Sequence, residues 1–145
     1  MSSEDTMLRA AEAGARLARH IERTLADAEL TLPQFRLLLH LETTTDTASD
    51  LARKAQIKPP SLTALVDGLA NRNLVQRIPD DCDRRRVNLY ITDEGRAALD
   101  NGRRAAAQRL QQLASEPDGY FDYELLEWLA RWIGPLNRAR DANAR

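Results

Sequence analysis

Apolar residues recur with a helical period along most of the chain and switch to a period of two in one short stretch. Between residues 5 and 27, Leu8, Ala11, Ala15, Ala18 and Leu25, with Leu17 and Ile21, predict one long helix with a broad, alanine-rich apolar face. Small side chains allow close helix–helix approach but bury little against their own domain. Thr31-Leu32-Pro33-Gln34 has the form of a capping box, with proline in the first turn. It opens a second helix from residue 32 to about 42, with Phe35, Leu38, Leu39 and Leu41 as core candidates. Residues 43–47 form a polar loop, and Thr47 can cap a short third helix over 48–55.

Pro59-Pro60 fits the start of a fourth helix, where missing N–H groups cost little. Leu62, Leu65, Val66 and Leu69 then recur as one buried stripe, and Ser61, Ala64, Asp67, Gly68 and Asn71 make a small, polar opposite face. Asn73 suits the left-handed conformation that ends a helix. Residues 74–78 and 87–91 alternate as half-buried strands do, with the densely charged stretch 79–86 between them. Thr92 caps a long fifth helix reaching about Ser115, with Asp93 and Glu94 at its positive end. Asp122 starts a sixth, with Leu125, Trp128, Leu129, Trp132 and Ile133 on one side, and Gly134-Pro135 kinks or ends it.

The expected fold is therefore mainly α with a small β-hairpin wing. A winged helix-turn-helix over 31–95 is flanked by helical dimerisation regions over 1–30 and 96–145, in one compact domain of 145 residues. Neither flank is needed to complete a winged helix, and Trp128 and Trp132 share a helix face at i, i+4. A symmetric dimer would bury these apolar stripes as a core cut in half.

Charge changes the picture once it is divided by region. The chain carries 21 basic and 22 acidic residues, a formal −1. Residues 51–86 hold eight basic groups and four acids, a local +4 on a body that is otherwise −5. The field near a contact surface governs encounter with a phosphate backbone more than the total does. A helix-turn-helix presents its second helix to the DNA major groove. Here that helix spans residues 58–72, with Lys58, Ser61 and Thr63 as candidate contacts and Arg72 at its end. The hairpin tip, with Arg84, Arg85 and Arg86, would reach the adjacent minor groove, whose narrow negative space suits arginine.

Asp83-x-Arg85-x-x-x-Leu89-x-Ile91-Thr92-x-x-Gly95 resembles the wing-to-helix signature of the multiple-antibiotic-resistance regulator (MarR) family. Leu62-Thr63-x-x-Val66-Asp67-x-Leu69 and Leu74-Val75-x-Arg77 are similar to that family's recognition helix and first wing strand. The resemblance is close over residues 30–100. It implies homodimers that bind double-stranded DNA at near-palindromic operators, usually as repressors, with the terminal helices interlocked and half-sites roughly one helical turn apart. It also makes Asp83 and Arg85 a signature pair, in which the carboxylate would orient a wing arginine by a charge-assisted hydrogen bond. Two departures stand out. Ala64 and Gly68 occupy positions where the family often carries arginine, and Asn73 stands where it usually has glycine.

Members of that family commonly release DNA when a small aromatic acid or phenolic compound binds. Arg16 with His20, and Arg36 with His40, are each spaced i, i+4 and could meet a carboxylate as effector-binding pairs. Cys82, between acids and arginines, offers a thiol for oxidation, although the redox-sensing branch places its cysteine near the N-terminal helix, where this chain has none. One cysteine and two histidines leave no multi-cysteine zinc site and no His-rich metal centre. No cofactor is implied, and neither a Gly-rich phosphate loop nor a nucleophile–base constellation suggests an enzyme. The acidic N-terminus lacks an export signal and no apolar run spans a bilayer, so the expectation is a cytoplasmic chain without a membrane partner. Two other readings remain open: a winged-helix protein-interaction module without DNA binding, and a thiol-based redox regulator acting through Cys82.

Overall fold

The helix starts marked by the sequence are capped as their residues require. Thr31 accepts the Gln34 N–H while Gln34 accepts the Thr31 N–H, Thr47 accepts the Asp50 N–H, and Thr92 accepts the Gly95 N–H. Ser2 and Asp5 close a further capping box at the N-terminus. The computed structural model describes residues 2–115 and 123–142. In chain order it has α1 (Ser3–Asp27), α2 (Leu32–Thr43), α3 (Ala48–Ala55), α4 (Pro59–Asn71), β1 (Val75–Pro79), β2 (Val87–Ile91), α5 (Asp93–Ala114), α6 (Tyr123–Arg131) and α7 (Ile133–Ala142). Asn73 has φ 57°, the left-handed turn its side chain tolerates.

The core gathers around the winged-helix segment. Leu25 and Leu30 enter it from α1 and the turn that follows, Leu37, Leu38 and Leu41 from α2, and Leu51 from α3. Leu62, Val66 and Leu69 enter from α4, Leu89 and Ile91 from β2, and Leu99 from α5. A fully buried leucine contributes about 1.5–3 kcal/mol relative to an exposed one, so this set is the main source of stability. Leu65, expected on the buried stripe, is half-buried at its edge. α5 crosses the core closely because it carries glycine at the contact. A Cβ at Gly95 would lie 2.1 Å from the Leu74 carbonyl oxygen. Arg103 donates to both Glu42 oxygens, tying α5 to α2, and that bond holds the Glu42 carboxyl below its usual range.

The loop between α2 and α3 is locked by a polar cluster. His40 is buried, its Nε2 2.5 Å from Asp46 Oδ2, and Lys54 Nζ donates to both Asp46 oxygens at 3.0 and 3.1 Å. Burial alone would raise the Asp46 carboxyl, but the His40 and Lys54 bonds outweigh it, so Asp46 stays below the usual aspartate value. The same loop joins the wing, because the Leu89 N–H donates to the Asp46 carbonyl and Thr47 bridges Asn88.

One expectation is corrected. β1 does not alternate, since only Val75 is buried and Gln76 to Pro79 are exposed. The hairpin projects from the body, so only its root is covered, while β2 keeps Leu89 and Ile91 inside. The C-terminal helix is two helices, broken at Trp132, three residues before Pro135. A proline ring clashes with the carbonyl four residues earlier, here Arg131, where α6 ends. Trp132 turns its N–H back to the Leu129 carbonyl, and Pro135 then sits in the first turn of α7, where no N–H is needed. α1, whose alanine-rich face was expected to bury little against its own domain, has only Leu25 fully buried. Asp122 and the side chain of Leu125 lie outside the described residues.

Candidate nucleic-acid interface

α4 buries Leu62, Val66 and Leu69 and turns Ser61, Thr63, Ala64, Asp67 and Asn71 outward. Lys58 is its N-cap, exposed and without a side-chain cap bond. Because Pro59 and Pro60 carry no N–H, the amide of Ser61 is the first donor that the helix can aim at an anion. The Thr63 hydroxyl donates back to the Pro59 carbonyl at 3.0 Å, leaving its methyl group and two lone pairs for an outside contact. Arg72 belongs to the other end of the helix. It donates to the Glu29 carbonyl at 2.5 Å, bracing the turn after α1.

The wing is a five-residue antiparallel ladder from Val75 opposite Ile91 to Pro79 opposite Val87. Its loop is organised by Asp80, which sequence reasoning passed over. One Asp80 oxygen accepts the N–H groups of Cys82 (2.9 Å) and Asp83 (3.0 Å), and the other accepts from the Asn88 amide (3.1 Å). The Asn88 bond foremost, then those two N–H donors, hold the Asp80 carboxyl below its usual value. Aspartates commonly bond their own backbone two residues on, and that was the signal available in Asp80 and Asp83.

Asp83 follows the same rule. Its carboxylate accepts the backbone N–H of Arg85 at 3.0 Å, and among the described residues no guanidinium reaches it. The expected Asp83–arginine pair is thereby corrected: a carboxylate two residues before an N–H closes a local turn more readily than it meets a long, solvated side chain. Arg86 is the arginine with an acidic partner, Asp50 on α3, at 3.0 Å. Arg84 and Arg85 are exposed, and among the described residues neither side chain has a hydrogen-bond or ion-pair partner. Arg77 on β1 pairs with Asp67 on α4 at 2.5 Å. Cys82 is exposed.

α3, α4 and the wing root enclose an open cleft of about 680 Å³. Ala52, Leu62, Val66 and Val87 line its apolar part, and Arg53, Thr63 and Arg77 its polar edge. The outward face of α4 and the wing thus border one concavity.

The paired effector candidates do not assemble. Arg16 is exposed beside Glu12 at 4.0 Å, while His20 turns toward α5, its Nδ1 3.1 Å from Arg109. Arg36 is exposed, and His40 is buried against Asp46. Helical spacing sets a common azimuth, but the chain folding over each position decides where a side chain ends, and here the α2–α3 loop covers residue 40 and leaves residue 36 open. Among the described residues no group of histidine, cysteine and carboxylate side chains could hold a metal ion, and no helix is long and apolar enough to cross a membrane.

A family model described as the MarR family matches residues 28–86. The HTH-type transcriptional repressor MdtR of Bacillus subtilis (strain 168) is 32% identical over 73 residues, 48% of this chain and 47% of MdtR, so the chain spans about half the length of that relative. Among solved structures, the apo form of wild-type MarR from E. coli is similar in fold, with a TM-score of 0.74 at 20% identity over 92% of this chain and 96% of that one. The transcriptional repressor CouR, solved on a 23-mer DNA duplex, has a TM-score of 0.68 at 28% identity over 87% and 89% of the two chains.

Proposed function

We propose that this chain, whose residues 28–86 match a MarR-family model, is a homodimeric, sequence-specific DNA-binding transcriptional repressor, released from a near-palindromic operator by a small aromatic or phenolic effector. The observation that carries the reading is the exposed pair Arg84 and Arg85 on a wing that shares a cleft with the outward face of α4. In this reading Lys58, Ser61 and Thr63 meet the major groove and the wing arginines the minor groove. Arginine at Ala64 and Gly68 would have added major-groove contacts, so this chain leans more on its wing. Residues 1–30 and 96–145 form the dimerisation region, which the exposed apolar side chains of α1, α6 and α7 support.

The cleft suits the effector better than the separated Arg–His pairs do. Its volume is that of small-molecule sites and its apolar lining fits an aromatic ring, while Arg53 or Arg77 would have to exchange Asp50 or Asp67 for a ligand carboxylate. A ligand there occupies the space between recognition helix and wing, so it would compete with DNA directly.

Titration of the purified protein onto DNA flanking its own gene, across a salt series, tests the reading. The expected result is retardation whose log affinity falls linearly with log salt, with a slope shallower by about 1 in Arg85→Ala. Absence of retardation at micromolar protein and low salt would overturn it in favour of a protein-interaction module.

A further inference from the structure

Of the three consecutive wing arginines, one is held differently. Arg86 donates through Nη2 to Asp50 Oδ2 at 3.0 Å, bridging the wing to α3 across 36 positions of sequence. Its partner is already ordered. The Thr47 hydroxyl donates to the same Asp50 carboxylate at 2.8 Å, Arg53 donates to the other oxygen at 3.0 Å, and the Asp50 N–H donates back to Thr47. Thr47 is itself bonded to the wing through its bridge with Asn88. At the loop end, the Arg86 N–H donates to the Asp83 carbonyl and the Arg86 carbonyl accepts the Asp80 N–H. Arg86 is thus fixed by its backbone inside the organised loop and by its guanidinium on the helix-turn-helix.

We propose that Arg86 and Asp50 are a positioning pair, a strap that sets the pose of the wing against the helix-turn-helix, and that groove contact is left to Arg84 and Arg85. The proposal deepens the DNA-binding reading and rests on it for its consequence, though the strap exists in the free protein. An isolated surface ion pair is weak because two long side chains must be ordered for one contact. Here the carboxylate is held before the arginine arrives, so only one side chain is immobilised. Arg86 is held on Asp50, a carboxylate it shares with Arg53, and would have to break that bond to reach a phosphate, whereas Arg84 and Arg85 keep unpaired charges for phosphates or the minor groove.

Cys82, the chain's single cysteine and exposed on the wing loop, is a ready label site. A nitroxide at Cys82 in the DNA-free protein should give a broad, restricted EPR line. Asp50→Asn and Arg86→Ala should each sharpen it, and Arg86→Lys should recover much of the restriction. In salt-series operator titrations of the unlabelled proteins, Arg86→Ala should weaken affinity about two- to five-fold with an unchanged slope. Arg84→Ala and Arg85→Ala should each lower the slope by about 1. Parent-like EPR lines in both Asp50→Asn and Arg86→Ala would overturn the strap, and so would a slope lowered by about 1 in Arg86→Ala, which would make Arg86 a phosphate contact. If no duplex is bound at all, the DNA reading fails, and the EPR arm still decides whether the strap exists.

Discussion

The winged-helix body and the two ends of the chain draw on the same apolar residue types and reach opposite states. In the body, Leu38, Leu69, Leu89 and Leu99 are fully buried. At the ends, Met7 and Leu8 on α1 and Trp128, Trp132, Ile133 and Leu136 on α6 and α7 stay exposed, the two tryptophans at 56% and 59%. Helices of the body meet others of the same chain on several sides and close their core there. The ends carry large apolar side chains that, among the described residues, nothing covers. A monomer rarely leaves so many large apolar side chains exposed without a partner for them, which is the physical case for a second copy.

The comparison breaks most visibly at Leu38. Leu38→Ala should cost about 2–5 kcal/mol in denaturant unfolding, independent of protein concentration, because it leaves a cavity inside one subunit. A loss under about 1 kcal/mol would mean that the body is loosely packed. Gly95→Ala should cost about 1–3 kcal/mol or more, since its Cβ would strike the Leu74 carbonyl and displace α5 from the wing root. Circular dichroism melts would read this as a lower Tm.

Asp46→Asn should cost about 1–3 kcal/mol at neutral pH by stripping His40 and Lys54 of their shared acceptor charge. The sign with pH follows from the lowered Asp46 value. The carboxylate's contribution is present above the ordinary aspartate value and is lost as pH falls through the lower folded-state value. Parent and variant should therefore converge in acid, and a gap that widens there would contradict the assigned cluster. The smallest effect on the subunit should come from Trp128→Ala combined with Trp132→Ala. Both side chains are more than half exposed, so subunit stability should change by less than about 0.5 kcal/mol, while sedimentation should show the dimer dissociating at higher protein concentration. An unchanged association constant would remove these helices from the interface.

Most of the fold was legible because its signals are local. Thr31, Thr47, Thr92 and Asn73 each act on a backbone group within three residues or on their own φ, so their identity suffices to read them. The site was legible in outline only. The three wing arginines are equivalent in sequence, and what separates Arg86 from Arg84 and Arg85 is Asp50, 36 positions away. His20 and Arg109 meet across 89 positions, and no periodicity announces that contact.

By itself, then, the sequence determined the order of the elements through α5, the caps at Thr31, Thr47 and Thr92 and the stripe that α4 buries, because caps and periodicity depend on neighbours within a helical turn. The tertiary structure alone decided which partner each of several charged or titratable side chains takes. Arg72 goes to the Glu29 carbonyl, Arg77 to Asp67, Arg86 to Asp50 and His40 to Asp46. A long charged side chain finds its partner through space, and that space exists only after the helices have packed.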